Sequence, residues 1–173
     1  MRKAIAKTLE NKRNYIRFVI VSYVLAFFIP VLLGQFTWVC GVFINAIYIL
    51  AAMNFHKNSF LPILFIPSIE KVAGALAFSI FFPFLLYLLP FIWVGNISYV
   101  YLFRYFKSKW ANKSFLSLFI ASIVKTAVIV IGTIVLYLVG EVYYSFILLV
   151  GAVQLFSAFI GGSLALFINK AKI

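Results

Sequence analysis

This sequence predicts an all-α integral membrane protein, a bundle of six transmembrane helices forming a single domain over 1–173. Hydrophobic residues make up 66% of the chain and charged residues only 10%, whereas soluble domains carry about 25% charge to cover their water-facing surface. Apolar runs recur along the chain, each roughly 20 residues long, enough to cross about 30 Å of hydrocarbon as a helix. The runs are continuous rather than alternating, which selects helices over a closed barrel as the way to satisfy the backbone in lipid. No polar stretch between them is long enough to fold alone.

The elements follow from breaks at Gly, Pro, Asn and charged residues. A basic segment over 1–14 leads into a first helix over 15–33. The start MRKAIAKTLENKRNYIRF resembles that of a signal peptide, but the apolar run continues through Pro30 to Gly34 without a small-x-small cleavage site, so the expectation is a retained helix. The second helix, 37–55, carries Gly41, Asn45, Tyr48 and Ala52 on one face. The third, 60–77, is expected to be short or bent, because Pro62, Pro67 and the pair Glu70-Lys71 interrupt it. Its inward face would hold Pro67, Glu70, Gly74 and Ala77. The fourth spans 84–105 and contains Asn96. The fifth, 115–139, includes LFIASIVKTAVIVIGTIVLYL, with Lys125 inside it and Ser122, Lys125, Thr126 and Thr133 as a polar stripe. The sixth, 144–168, contains Gln154 and a small-residue stripe of Ser157, Gly161 and Ala165, suited to close helix packing.

Direction comes from the basic residues. In a six-span chain, all of them except Lys71 and Lys125 fall at one side: before or at the opening of the first helix, at Lys57, from Arg104 to Lys113, and at Lys170 and Lys172. The opposite connections, 34–36, 78–83 and 140–143, contain none. Basic residues favour cytoplasmic loops, so both termini should face the cytoplasm. The net charge of +12 therefore reads as topology and lipid contact rather than nucleic-acid binding.

With the direction set, depth can be counted at about 1.5 Å per residue. Lys125 lies ten residues into its span, Asn45 eight, Asn96 twelve and Gln154 ten, with Glu70 and Lys71 at similar depth. Five of six helices thus place their most polar residue near one level. A charge at the bilayer centre costs about 2.5–3.5 kcal/mol, so Lys125 should turn inward, either to pair with Glu70 or to line a cavity. Asn96 and Gln154 also suit plain interhelical hydrogen bonding.

Several chemistries are missing. Glu10, Glu70 and Glu141 are the only acidic residues, His56 is the only histidine and Cys40 the only cysteine. No disulfide, metal cluster, carboxylate pair or phosphate loop of the GxxxxGK[ST] kind follows from these. An enzyme is not expected and no cofactor is implied. Uphill transport would need its energy from a partner or an ion gradient.

The stretches FINAIYILAAM (43–53), LLPFIWVGNISYVYLF (88–103), IVKTAVI (123–129) and VQLFSAFIGGSLA (153–165) resemble, in the same order, the small substrate-binding membrane subunits, or S components, of energy-coupling factor transporters. The resemblance implies a six-helix bundle in a prokaryotic cell membrane. It would bind a vitamin or other small metabolite from outside, and associate with a transmembrane coupling subunit and two cytoplasmic ATPases. It implies a substrate site at Asn45, Asn96, Lys125 and Gln154, closed by the outer loops 34–36 and 140–143. Glu70 joins that site on depth alone. The first-helix AxxxA contact motif of many members is missing, and only Ser22 and Ala26 offer small-xxx-small spacing for a partner contact. The alternative is a structural or assembly subunit with six spans, in which the polar layer knits the bundle and no small molecule binds. A self-contained carrier or channel is a third reading.

Overall fold

The computed structural model describes the backbone of residues 2–33, 37–56, 59–78, 82–110 and 112–171, and the side chains of 12–33, 38–56, 59–69, 84–110 and 112–171. Among the described residues there are six helices and no strand: α1 (Arg2–Leu33), α2 (Thr37–Asn54), α3 (Leu61–Phe78), α4 (Phe82–Lys109), α5 (Ser114–Leu138) and α6 (Tyr144–Lys170). Four stretches, Lys12–Leu33, Phe84–Lys109, Ser114–Leu138 and Tyr144–Lys170, are long and apolar enough to cross a membrane, and Trp38–Asn54 is a shorter apolar helix.

Two boundaries differ from the sequence expectation by more than two residues. The first helix begins at Arg2 rather than near Tyr15, since 2–14 holds Ala, Leu, Glu, Lys and Arg, all good helix formers, with no Gly or Pro. The fourth continues to Lys109, where Lys107 and Lys109 sit favourably beside the C-terminal carbonyls. Helix α3 runs unbroken through Pro67. Pro62 and Pro83 fall in the first turns of α3 and α4, where a missing N–H costs nothing within the helix.

Side-chain pairs reveal the helix directions. Phe91 beside Gly132 and Ile129 beside Gly95 make α4 and α5 antiparallel, as do Phe119–Phe159 and Phe115–Phe167 for α5 and α6. Helices α2 and α6 run parallel, with Gly41 against Ser157 and Ala46 against Gly161. The most extensive pairings are α4 with α5 and α2 with α6, whereas α1 packs on α2 and α3. Gly161 makes the α2–α6 approach possible, because a Cβ there would run into the backbone carbonyl of Val42. Helix α5 ends where Gly140 adopts φ +86°. Its N–H bonds to Tyr137 O at 3.0 Å and that of Glu141 to Leu136 O at 2.9 Å, the Schellman pattern that only glycine enters without strain.

Apart from Lys125, the described basic side chains gather at one end of the bundle. Lys12, Arg13 and Arg17 lie near the start of α1, Arg104, Lys107 and Lys109 at the end of α4, Lys113 before α5, and Lys170 at the end of α6. The side chains of Arg2, Lys3, Lys7, Lys57, Lys71 and Lys172 lie outside the described residues. Arg104 has a specific task. Its Nε donates to Ala52 O at 2.7 Å and a second guanidinium nitrogen donates to Phe55 O, while the group lies 4.5 Å from the Phe60 ring centre. It thereby satisfies carbonyls at the end of α2 that have no partner within the helix.

The core has a large cluster, which includes Tyr48, Tyr99, Phe103, Phe55 and Phe60, and a smaller one around Phe84, Leu88, Ile129 and Leu136 at the opposite end of α4 and α5. Ser157, Gly161 and Ala165 are buried, Ser157 and Gly161 directly against α2.

Candidate functional site

Two chains of polar contacts cross the interior at the level of Lys125. In the first, Lys125 on α5, 3% exposed, donates through Nζ to Asn45 Oδ1 on α2 at 2.5 Å. Asn45 Nδ2 donates to Ser157 Oγ on α6 at 3.3 Å, and Ser157 Oγ donates to the Gln154 carbonyl at 3.3 Å. The ammonium also stands 5.1 Å from the ring centre of Tyr99 and 5.6 Å from that of Tyr48. A charge-assisted hydrogen bond contributes about 1.5–3 kcal/mol and a desolvated cation–π contact about 2 kcal/mol. These are of the same size as the cost of placing an ammonium at mid-membrane depth.

The second chain joins α4, α2 and α3. Tyr48 Oη donates to the carbonyl of Leu64 at 3.2 Å. Asn96 Nδ2 donates to Tyr48 Oη at 3.3 Å and to Leu64 O at 3.4 Å. Pro67 breaks the regular ladder beside this carbonyl. It has no N–H for the carbonyl of Ile63, and its ring crowds the preceding turn, so α3 presents backbone acceptors to its neighbours in the bundle.

Between the chains lies a half-open cavity of about 100 Å³. Its lining runs from Cys40 and Leu85, near the starts of α2 and α4, down to Tyr48 and Asn96. Lys125, Asn45, Asn96 and Ser157 make a polar floor, Leu85, Leu89, Ile92, Ile44 and Val153 an apolar sleeve, and Ser68 and Gln154 polar points on the wall. Apolar walls with a few convergent polar groups are the general make-up of sites that orient small ligands.

Asn45, Asn96, Lys125 and Gln154, expected together from depth, line this one cavity. The side chain of Glu70 lies outside the described residues, as do the loop 34–36 and any pairing of Glu70 with Lys125. Ser22 and Ala26 do not reach the surface. Ser22 is 5% exposed and donates to Phe18 O at 2.8 Å, and Ala26 is fully buried in the core. Their small size serves packing inside the chain, and the outward face of α1 carries Ile20, Val24, Phe27 and Val31 instead. Along α5, Ser122 and Thr133 donate to Leu118 O and Ile129 O of their own helix, and Thr126 Oγ1 is buried without a partner.

Tyr48 and Ser157 were not among the expected site residues. Tyr48 shares the helical face of Asn45, which is the signal that points to it; Ser157 reads as a packing residue and is both. The carbonyl of Leu64 leaves no mark in the sequence beyond Pro67. No family model, no curated protein and no solved structure matches this chain.

Proposed function

We propose that this chain crosses a prokaryotic plasma membrane six times, with both termini cytoplasmic, and captures a small metabolite from the outer side as the S component of an energy-coupling factor importer. The observation that carries this reading is the half-open cavity whose floor gathers Lys125, Asn45 and Asn96 at mid-length of their helices. A subunit whose polar layer served only to knit the bundle would gain nothing from an opening beside a buried ammonium. The basic end of the bundle supports the orientation, since the cavity lining reaches away from it to Cys40 and Leu85, near the starts of α2 and α4.

In this reading Lys125 meets an anionic or carbonyl group, the amides of Asn96 and Gln154 direct it, and the sleeve takes up the apolar body. The chain binds and does not catalyse. A membrane coupling subunit and two cytoplasmic ATPases supply the energy, an assignment supported by the resemblance of 43–53, 88–103, 123–129 and 153–165 alone.

Native mass spectrometry of the gently purified full-length protein tests capture. The expected result is a defined bound small-molecule mass, with the bound fraction at least tenfold lower in Lys125→Met. An unchanged fraction in that variant removes Lys125 from the role. A clean apo mass together with co-purified membrane partners favours the assembly subunit.

A further inference from the structure

A second concave surface lies outside the bundle, at the level of the cavity. The helix pairings run in a ring, α1 to α2 to α6 to α5 to α4 to α3 and back to α1, with α2 also meeting α3 and α4. The cavity beside Lys125 takes its lining from α2 to α6 and lies within that ring. A half-open groove of about 330 Å³ is lined by two helices alone, with Trp38 and Val42 from α2 and Ala152, Phe156 and Ile160 from α6. It faces outwards, since Trp38 is 62% exposed, Phe156 65% and Ile160 48%. Val153 and Ser157 line both spaces, so one layer of side chains separates the groove from the cavity.

Polarity, depth and size say what covers the groove. No polar atom faces it. Ser157 turns its hydroxyl inwards, accepting from Asn45 Nδ2 and donating to the Gln154 carbonyl. Helix α6 begins at Tyr144, so Ala152 and Ile160 stand about 12 and 24 Å along it. That stretch, Tyr144–Lys170, is long and apolar enough to cross a membrane, which puts the groove at hydrocarbon depth. An empty apolar hollow there forfeits dispersion contacts, and water finds no polar partner in it. A neighbouring helix is too thick to fill it. A single turn, about 5.4 Å of a cylinder about 10 Å across, occupies roughly 420 Å³, and a helix lying along the groove would bring about two turns. A hydrocarbon chain is narrower and bends to the shape.

We propose that this groove seats one acyl chain of a membrane lipid, held by its hydrocarbon and not by its headgroup. The site stands whether or not the cavity captures a metabolite. Seated there, the chain lies against the outer side of Val153 and Ser157 and backs the wall that the contact between Asn45 and Ser157 holds from within.

Native mass spectrometry of the full-length protein, released from detergent after incubation with palmitoyl-oleoyl phosphatidylcholine, reads occupancy. The expected spectrum shows one lipid adduct that outlasts all others as collision energy rises, and the phosphatidylglycerol with the same chains should give the same result. Ala152→Phe, made at an exposed position, fills the groove with a ring and should lower the retained fraction about tenfold, since an overfilled space resists further packing. Ile131→Phe, on the exposed side of α5 and outside the groove, should leave it unchanged. Equal retention in Ala152→Phe and the unmodified protein overturns the proposal, as does a graded loss with no persistent adduct. Retention of phosphatidylglycerol alone moves the lipid to the basic end of the bundle and also overturns it. So does a dimer mass that Ala152→Phe turns into monomer, which gives the groove to a second copy of the chain. The unmodified protein supplies an independent check. An equimolar phosphatidylcholine with a diazirine in the middle of one chain should, on illumination, label 38–42 and 152–160 far more strongly than the exposed apolar face of α1 over 20–31. Even labelling of both regions overturns the site.

Discussion

Asn45 lies between Lys125 and Ser157, accepting from one at 2.5 Å and donating to the other at 3.3 Å, whereas Asn96 donates to Tyr48 Oη and to the carbonyl of Leu64. The same side chain thus links α5 to α6 from one helix and joins α4 to α2 and α3 from the next. If Asn45 acts by holding Lys125, Asn45→Leu should weaken ligand binding about tenfold, the equivalent of one charge-assisted hydrogen bond. Asn45→Asp, which still accepts from the ammonium, should retain most of the affinity; titration of the co-purified ligand against both variants checks this order. Tyr48→Phe removes one donor and one acceptor from the second chain and should cost about 1 kcal/mol, seen as an earlier thermal loss of the monomer peak in size exclusion. The meeting of Asn45, Asn96, Lys125 and Gln154 was legible in advance because depth is a local property, countable along one helix. Which of their atoms are already partnered was not legible, because that depends on register between helices far apart in sequence.

For the helices, close approach and broken regularity matter most. Gly161 faces the backbone of α2 at Val42 and Ala46, so Gly161→Ala has to separate α2 from α6, and overpacking of this kind typically costs 1–3 kcal/mol. The same substitution at Gly151, which meets only the Val130 side chain at 3.2 Å, should cost less. Thermal unfolding of the two variants side by side decides the ranking. Pro67→Ala returns a donor to the carbonyl of Ile63 and lets the Leu64 turn regularise. Thermal stability should stay level or rise while ligand affinity falls, as the acceptor for Tyr48 and Asn96 moves. The sequence pattern locates all six helices, because apolar runs and glycine or proline breaks act within each segment. It misplaced Ser22 and Ala26 on a docking surface. Spacing shows that two small residues share a face, but not whether that face turns towards this chain or away from it.

For the whole molecule, direction is the property most open to test. Apart from Lys125, the described basic side chains lie at one end and the cavity lining extends towards the other, to Cys40 and Leu85, so the orientation of the bundle and the side from which ligand would enter are a single question. With Cys40 replaced by alanine, a cysteine at Glu141 should react with a membrane-impermeant maleimide on intact cells, and one at Asn112 only after lysis. Both native positions are exposed, in the connections that follow α5 and α4. The reverse pattern would turn the bundle over and place the cavity mouth in the cytoplasm. That these basic residues share one end was readable from their positions in the sequence, and the labelling decides which side of the membrane that end faces.

The carbonyl of Leu64 receives both Tyr48 and Asn96, and it belongs to the backbone, so no codon change at position 64 deletes it. Leu64 is fully buried, which leaves its side chain free to drift among apolar residues of similar volume without disturbing the contact. Selection for ligand capture would act three residues later, on the proline that shapes the turn. Across diverged descendants of this gene, position 64 should therefore wander while position 67 holds, an inheritance carried in the path of the chain rather than in the group that does the binding.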